Sequence, residues 1–269
     1  MTGIVITGAA GRMGQCLVAA AQRDPEIRLV GALEKSSDPA MGRDAGEVAG
    51  VGTMDVVITA TLEEVADDWQ VLVDFTFPGV TLNLLPLVSA AGRSMVIGST
   101  GFKPEELDFI RTFATQQPHL LAPNMSLGVN LLLRLAAMAA GHLGNGFDVE
   151  ILEAHHRKKQ DAPSGTAIRL GEVLATTLGR DLADVGRYER HGMIGPRAER
   201  EIGFATLRGG DVVGEHTVFF YGHGERLELT HRATSRDTFA TGAMAAAKWI
   251  RSRPPGLYDM QDVLGLREG

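Results

Sequence analysis

From position 153 the chain reads Glu-Ala-His-His-Arg-Lys-Lys-Gln-Asp-Ala-Pro-Ser-Gly-Thr, a dense run of protonatable and cationic side chains in a protein of formal net charge −7. A local cationic cluster of this kind suits a small anion. Ser164, Gly165 and Thr166 follow Pro163 at the start of an expected helix, where open main-chain amides and two hydroxyls could receive a carboxylate or phosphate. Histidine is the usual proton donor near neutral pH, so one reading is an anionic-substrate site with a histidine as acid and a lysine as electrostatic partner. Two other readings compete. Glu153, His155, His156 and Asp161 could hold a metal, although adjacent histidines on a strand point to opposite faces. A solvated basic loop would need no ligand at all. The anionic-substrate reading accounts for most of the residues, and no metal is expected. Arg236 could add a carboxylate clamp or simply pair with its neighbour Asp237 at the surface.

A second constellation lies near the start, where Gly8-Ala9-Ala10-Gly11-Arg12-Met13-Gly14 follows a β-branched run and precedes a helical pattern. Glycines there permit a tight turn and let main chain approach a pyrophosphate, while amides at the helix N-terminus face the anion. The spacing is G-x-x-G-x-x-G, so Ala9 stands where the usual fingerprint has its first glycine. Glu34, twenty residues beyond Gly14 at the end of the next strand, is placed to accept hydrogen bonds from ribose hydroxyls. The competing reading makes the glycines a packing device and Glu34 a solvated strand end. Lys35 could neutralise the extra phosphate of NADP or be merely exposed. Gly98-Ser99-Thr100-Gly101 and Ala122-Pro123-Asn124-Met125 follow later apolar runs, and ligands of open α/β sheets sit at the carboxyl ends of strands, so these loops should line the nicotinamide end.

The elements that must position these residues fall into two patterns. Through residue 126, short apolar runs (Gly3–Thr7, Ile27–Leu33, Val56–Ile58, Val71–Asp74 and Met95–Ile97) alternate with helical spacings at Met13–Gln22, Val80–Ala91 and Glu105–Thr115. That alternation predicts a parallel sheet covered on both faces. After Asn124 come a long apolar helix over Leu127–Leu143, a strand over Asp148–His155 and a helix over Thr166–Leu178. Strands are then expected at Glu201–Ala205, Glu215–Tyr221 and Arg226–Arg232, the last read as half-buried from its alternation. The class is α/β: a Rossmann-like dinucleotide-binding domain over 1–126 and 236–269, with an inserted α+β domain for substrate and oligomerisation over 127–235.

Composition narrows the function classes. Hydrophobic residues at 44% and charged residues at 22% argue for a globular chain. The acidic balance argues against nucleic acid as a partner. Leu127–Ala140, interrupted by Asn130 and Arg134, falls short of the ~20 residues of a membrane span, so none is expected. A lone cysteine, Cys16, and no room for a signal segment ahead of Gly3 point to the cytoplasm. Glycine is in excess, 33 of 269 residues.

Several segments together resemble the 4-hydroxy-tetrahydrodipicolinate reductase family, formerly called dihydrodipicolinate reductases. They are Gly8–Gly14, Asp74-Phe-Thr76, Val96–Phe102, Glu153–Lys159, Asp161–Thr166 and Arg208-Gly-Gly-Asp-Val-Val-Gly-Glu-His216. They extend over essentially the whole chain, and the histidine–lysine segment with its Ser-Gly-Thr loop is the most specific. The resemblance implies NAD(P)H-dependent reduction of 4-hydroxy-tetrahydrodipicolinate, a cyclic imine with two carboxylates, to tetrahydrodipicolinate in diaminopimelate and lysine biosynthesis. It further implies a homotetramer assembled by the central domain. By the same resemblance His155 is the proton donor and Lys159 the second catalytic residue, with His156, Gly165 and Thr166 on the substrate carboxylates; Ser164 and Arg236 are expected beside them from their residue types. Gly8 to Met13, Glu34, Lys35, Gly98 to Thr100 and Ala122 to Met125 are expected on the cofactor. Many relatives have arginine where this chain has Phe77, and arginine rather than Lys35 after the ribose acid. Use of both NADH and NADPH is therefore expected. Two other readings of the whole chain are a dehydrogenase of another small dicarboxylate and a nucleotide sensor without turnover; the His155–Lys159 pair has no evident use in the second.

Overall fold

The computed structural model describes residues 1–267, so Glu268 and Gly269, the end of the expected 236–269 segment, lie outside the described residues. In chain order the first elements are β1 (Thr2–Thr7), α1 (Arg12–Arg23), β2 (Ile27–Leu33), α2 (Ala45–Ala49) and β3 (Ile58–Thr59). Then come β4 (Val71–Asp74), α3 (Pro78–Ala90), β5 (Ser94–Ile97), α4 (Pro104–Ala114) and β6 (Pro118–Leu121). A middle stretch holds α5 (Leu127–Leu143), β7 (Asp148–His155), α6 (Gly165–Thr177), α7 (Leu182–Val185), β8 (Gly186–Arg187), β9 (Ile202–Arg208), β10 (Gly214–Tyr221) and β11 (Arg226–Ala233). The chain ends with α8 (Asp237–Ile250), β12 (Gly256–Tyr258) and α9 (Met260–Val263). Two compact units result, one of Met1–Leu127 with the segment from Arg236 onward, the other of Gly128–Ser235.

The first unit is built on a parallel seven-stranded sheet of order β12-β6-β5-β4-β1-β2-β3, the Rossmann-like arrangement that the strand–helix alternation predicts. Strand periodicity of two divides its core. Ile4 and Ile6 of β1, Val71 and Val73 of β4 and Val96 of β5 pack with Leu17, Ala21, Ala243 and Ile250 of α1 and α8. The intervening Val5, Leu72, Met95 and Ile97 pack with Leu85, Val88 and Ile110 of α3 and α4. Both faces are therefore buried, and the carboxyl ends of β1, β2, β4 and β5 are held side by side.

The expected strand over Val56–Ile58 is displaced to Ile58–Thr59. Asp44 is the cause: its carboxylate caps α2 through the amides of Gly46 and Glu47 and also accepts from Met54 and Val56, which holds Val56 in a loop. Two short strands that carry Pro118 and Gly256, β6 and β12, extend the sheet without an apolar signature long enough to predict them.

The second unit has a mixed five-stranded sheet of order β11-β10-β7-β9-β8. Leu132, Ala136 and Ala140 of α5 and Ala167, Leu170 and Leu174 of α6 cover one face over Val149, Ile151, Phe204, Val218 and Phe220. From Leu127 to Gly146 the helical run is 20 residues, long and apolar enough by length and composition to cross a membrane, and so longer than the sequence estimate. One face of it enters this core through Leu132, Ala136 and Ala140, while Leu131, Leu135 and Met138 stay exposed. β11 keeps the expected alternation from Glu228 onward, with Leu229 and His231 half-buried and Ala233 buried between exposed Glu228, Thr230 and Arg232, while Leu227 on the same face stays exposed. Alternation identifies residues that share a face without showing that the face is covered.

Candidate active site

In the first unit, the loop between β1 and α1 is shaped by two glycines. Gly8 has φ 64°, a left-handed conformation that side chains resist. A Cβ at Gly14 would lie 2.0 Å from the Gly8 carbonyl oxygen, so the helix can start this close to the turn only without a side chain there. Ala9 donates its amide to the Leu33 carbonyl (3.1 Å), tying the loop to β2. Gly11 occupies the N-cap of α1, and no side chain caps the helix. The first-turn amides are thus offered to an external acceptor, and the positive end of the helix dipole adds to their pull on an anion. Glu34 leans against the same loop, accepting from the Ala10 amide (3.3 Å) and the Lys35 amide (3.0 Å). Lys35 itself is exposed.

The other expected cofactor positions lie at neighbouring strand ends, where the structure gives several of their side chains structural work. Ser99 is buried and its hydroxyl hydrogen is committed to Asp74 Oδ2 (3.0 Å), so that hydrogen is not offered to a cofactor. Gly98 lies under the Phe75 ring, which a Cβ would meet at 2.4 Å. Ala122 and Met125 point into the core, Pro123 and Thr100 are exposed, and Asn124 Oδ1 accepts from the Ser126 amide (2.9 Å).

Asp74 was visible in the sequence only as part of the Asp-Phe-Thr segment. It proves to be the hub of these strand ends. Fully buried, it accepts from the hydroxyls of Thr7 (2.8 Å), Thr76 (2.6 Å), Thr81 and Ser99, and from the Thr76 amide (3.0 Å). A buried carboxylate with this many donors fixes the ends of β1, β4 and β5 and the start of α3 relative to one another.

In the second unit, β7 alternates so that Val149, Ile151, Glu153 and His155 share the buried face. The basic loop begins where that strand ends. His155 Nδ1 lies 2.5 Å from Glu153 Oε2, and its ring packs edge-on against His216 with centroids 5.2 Å apart. Arg208, paired with His155 in the β7–β9 register, grips both oxygens of Glu153 at 2.9 Å. It also donates to the Asp161 carbonyl (2.6 Å), which anchors the far end of the loop. Burial works to raise the Glu153 carboxyl, but hydrogen bonds from His155, Arg208 and the Ser164 amide prevail and bring it down to about 2.

Lys159 Nζ pairs with Asp161 Oδ1 (2.9 Å), and that bond draws the Asp161 carboxyl below its ordinary range. Ser164 caps α6 by accepting from the Ala167 amide (3.2 Å), and its hydroxyl meets His216 Nε2 (3.1 Å). Gly165 is exposed at the first position of α6 with open space around it, and Thr166 follows, half-buried. His156, half-buried just beyond β7, has a buried Nδ1 with no partner among the described residues. Arg236 belongs to the first unit, exposed at the N-cap of α8. Among the described residues no group of three or more His, Cys, Asp or Glu side chains is arranged to hold a metal ion.

Arg208 was present in the segments read from the sequence but received no role, and Glu153 was weighed only as a possible metal ligand. The available signal was the i, i+2 spacing of Glu153 and His155, which puts them on one face of a strand. Arg208 arrives through the β7–β9 pairing, which local spacing does not reveal.

Two buried histidines make stability depend on pH. Burial pushes His119 and His216 down to about 4, His216 with help from the neighbouring His155. As pH falls below about 6.5 the unfolded chain takes up protons on these rings that the folded chain refuses until about 4, so folding weakens across that window. Tm is expected to fall from pH 7 to pH 4.5, and less steeply in His216→Asn. Parallel slopes for the two proteins in a thermal melt series would remove His216 from this account.

The chain was compared with known proteins. Residues 2–125 match the family model described as dihydrodipicolinate reductase, N-terminus, and residues 128–264 the one described as dihydrodipicolinate reductase, C-terminus. It is 53% identical over 267 residues to the 4-hydroxy-tetrahydrodipicolinate reductase of Syntrophotalea carbinolica, covering 99% of this chain and 100% of the relative. It is also 53% identical over 268 residues to that of Chromohalobacter salexigens, with the same coverage. Among solved structures, dipicolinate-bound dihydrodipicolinate reductase from Paenisporosarcina sp. TG-14 shares the fold with TM-score 0.78 at 24% identity, covering 97% of this chain and 98% of that one.

Proposed function

The chain belongs to the dihydrodipicolinate reductase family, and from that premise we propose that it reduces 4-hydroxy-tetrahydrodipicolinate to tetrahydrodipicolinate, a step of the diaminopimelate route to lysine, using a nicotinamide dinucleotide. The observation that carries the site assignment is that His155 ends β7 and Lys159 follows in the next loop, while the start of α6 is held to the same strand end through the Ser164 amide on Glu153. A reduced dinucleotide, when bound, supplies the hydride. The uncapped α1 and its glycine turn suit the pyrophosphate, and Glu34 has oxygens placed for ribose hydroxyls.

The residues of the second unit then have definite tasks. The ring hydroxyl leaves as water together with a hydrogen from the adjacent ring carbon, which makes the conjugated ring; hydride then adds, and the negative charge left behind is quenched by one proton. His155 delivers that proton, and the Lys159 ammonium stabilises the charge while it develops. His156 and the start of α6, with Gly165 and Thr166, hold the substrate carboxylates. Ser164 contributes by capping α6, and Arg236 is assigned to the substrate only as a cation suited to clamp a carboxylate.

NADH and NADPH are both accepted in this reading, with the exposed Lys35 beside Glu34 as the group that meets the extra phosphate. A cytoplasmic location goes with it, supported by a single, free cysteine. A homotetramer goes with it too, supported by Leu207, Tyr221 and Leu227 lying exposed on strands of the second unit.

One assay tests activity and cofactor choice. Substrate made from pyruvate and aspartate semialdehyde by its synthase is supplied with NADH or NADPH, and absorbance of the reduced cofactor is followed for wild type and Lys35→Ala. Wild type is expected to consume both. The variant should raise KM for NADPH about tenfold, the size of one exposed phosphate contact of roughly 1.4 kcal/mol, and leave KM for NADH alone. No consumption of either cofactor would refute the activity; an unchanged KM ratio would remove Lys35 from phosphate recognition.

A further inference from the structure

His155 has two ring nitrogens, and a proton donor must have the right one free. Nδ1 faces Glu153 Oε2 at 2.5 Å. The Glu153 carboxylate is 1% exposed and fully engaged: besides His155 it accepts from Arg208 Nη1 and Nη2, each at 2.9 Å, and from the Ser164 amide at 3.1 Å. Arg208 and the Ser164 amide take three of the carboxylate's roughly four lone-pair sites. These contacts keep Glu153 ionised, its carboxyl drawn down to about 2, so toward His155 it accepts. Nδ1 must then carry the hydrogen in the neutral ring as well as in the charged one. The hydrogen that comes and goes is the one on Nε2.

The space next to Nε2 is also defined. A Cβ at Gly214, the first residue of β10, would lie 3.1 Å from Nε2 and 3.4 Å from Cδ2. Gly214 needs no left-handed φ, so its backbone gives no reason for a glycine there. A side chain there would crowd Nε2.

We propose that Glu153, clamped by Arg208, is a positioning residue that holds His155 as the Nδ1–H tautomer, so that Nε2 exchanges the proton, and that Gly214 is the residue that keeps Nε2 accessible. This rests on His155 being the proton donor. In Glu153→Gln, Arg208 retains the amide oxygen and the amide nitrogen turns to His155, which makes Nδ1 an acceptor and moves the hydrogen to Nε2.

The experiment combines kinetics with ¹⁵N–¹H NMR of histidine-labelled protein. For Glu153→Gln the expected result is a fall in kcat of about 10²-fold or more, the span of general acid catalysis, with substrate KM within threefold. The Nδ1 resonance should change from pyrrole-type to pyridine-type. Gly214→Ala leaves the Glu153–His155 pair in place and should lower kcat by about tenfold or more, as one crowded contact can, with Nδ1 still pyrrole-type. His155→Ala separates the premise from the proposal: if it keeps wild-type kcat, the donor assignment fails. If it loses activity while Glu153→Gln keeps both its kcat and a pyrrole-type Nδ1, the positioning role is overturned. Should Glu153→Gln not fold, Gly214→Ala decides, since wild-type turnover there would show that Nε2 is not the working atom.

Discussion

Alanine at both His155 and Lys159 is expected to lower kcat by about 10⁴-fold, while the Kd for reduced dinucleotide stays within about twofold of wild type. A positioned general acid contributes roughly 10²–10⁴-fold and one electrostatic stabiliser of developing charge roughly 10²–10³-fold, and groups that act as a unit are less than additive. Affinity is retained because neither side chain belongs to the unit that carries the glycine loop and Glu34. Folding is retained for reasons that are local to each residue. Removing His155 leaves the buried Glu153 carboxylate still gripped by Arg208 and the Ser164 amide, so no uncompensated charge is created. Removing Lys159 frees only Asp161, whose side chain is 59% exposed. Single-turnover rates with saturating cofactor, beside a fluorescence titration of dinucleotide, check both halves. Wild-type turnover in the double variant would discard the site assignment. A large loss of dinucleotide affinity would show that these side chains serve binding instead of chemistry.

The sequence was most informative where one local pattern dictates structure. β1 buries Ile4, Val5 and Ile6 on two faces of one sheet, so a continuous β-branched run followed by glycines is itself the signature of a parallel strand feeding a loop and a helix. β7 and α5 match their expected ranges residue for residue, because alternation in one and a long apolar run in the other leave little choice. The shifts occur where a side chain overrides periodicity. Val56 and Val57 have strand-forming side chains, but the Asp44 carboxylate claims the Val56 amide that a ladder would need. The site follows the same division. His155, Lys159 and the start of α6 are close in sequence and could be grouped by reading alone. The Asp74 hub and the Arg208 clamp join residues 7 with 74 and 153 with 208, and such pairings appear only once the strands are laid side by side.

Among the glycines of the β1–α1 loop, Gly14 meets the severest test. A methyl group there would stand 2.0 Å from the Gly8 carbonyl oxygen and 2.7 Å from Ala9 Cα, both main-chain atoms of the turn that the helix start must rest on. No rotamer change relieves such a contact, so the turn itself must open. Gly11 gives the internal control, since a Cβ there would be 3.1 Å from the same oxygen, a distance that a shift of a few tenths of an ångström relieves. Overpacking of a close contact costs about 1–3 kcal/mol, and if the distortion falls on the cradle the dinucleotide Kd weakens by about 10–10²-fold. Gly14→Ala is therefore expected to lose close to 10²-fold in affinity and several degrees of Tm, with Gly11→Ala weakened by less than tenfold. Calorimetric titration with NADH separates the two substitutions, and the ranking matters more than either value. A packing-only loop would lower Tm in Gly14→Ala and leave the Kd of the remaining folded protein unchanged. An anion cradle would tie the two quantities together, because the amides proposed for the pyrophosphate are those that the Gly14–Gly8 contact holds in place.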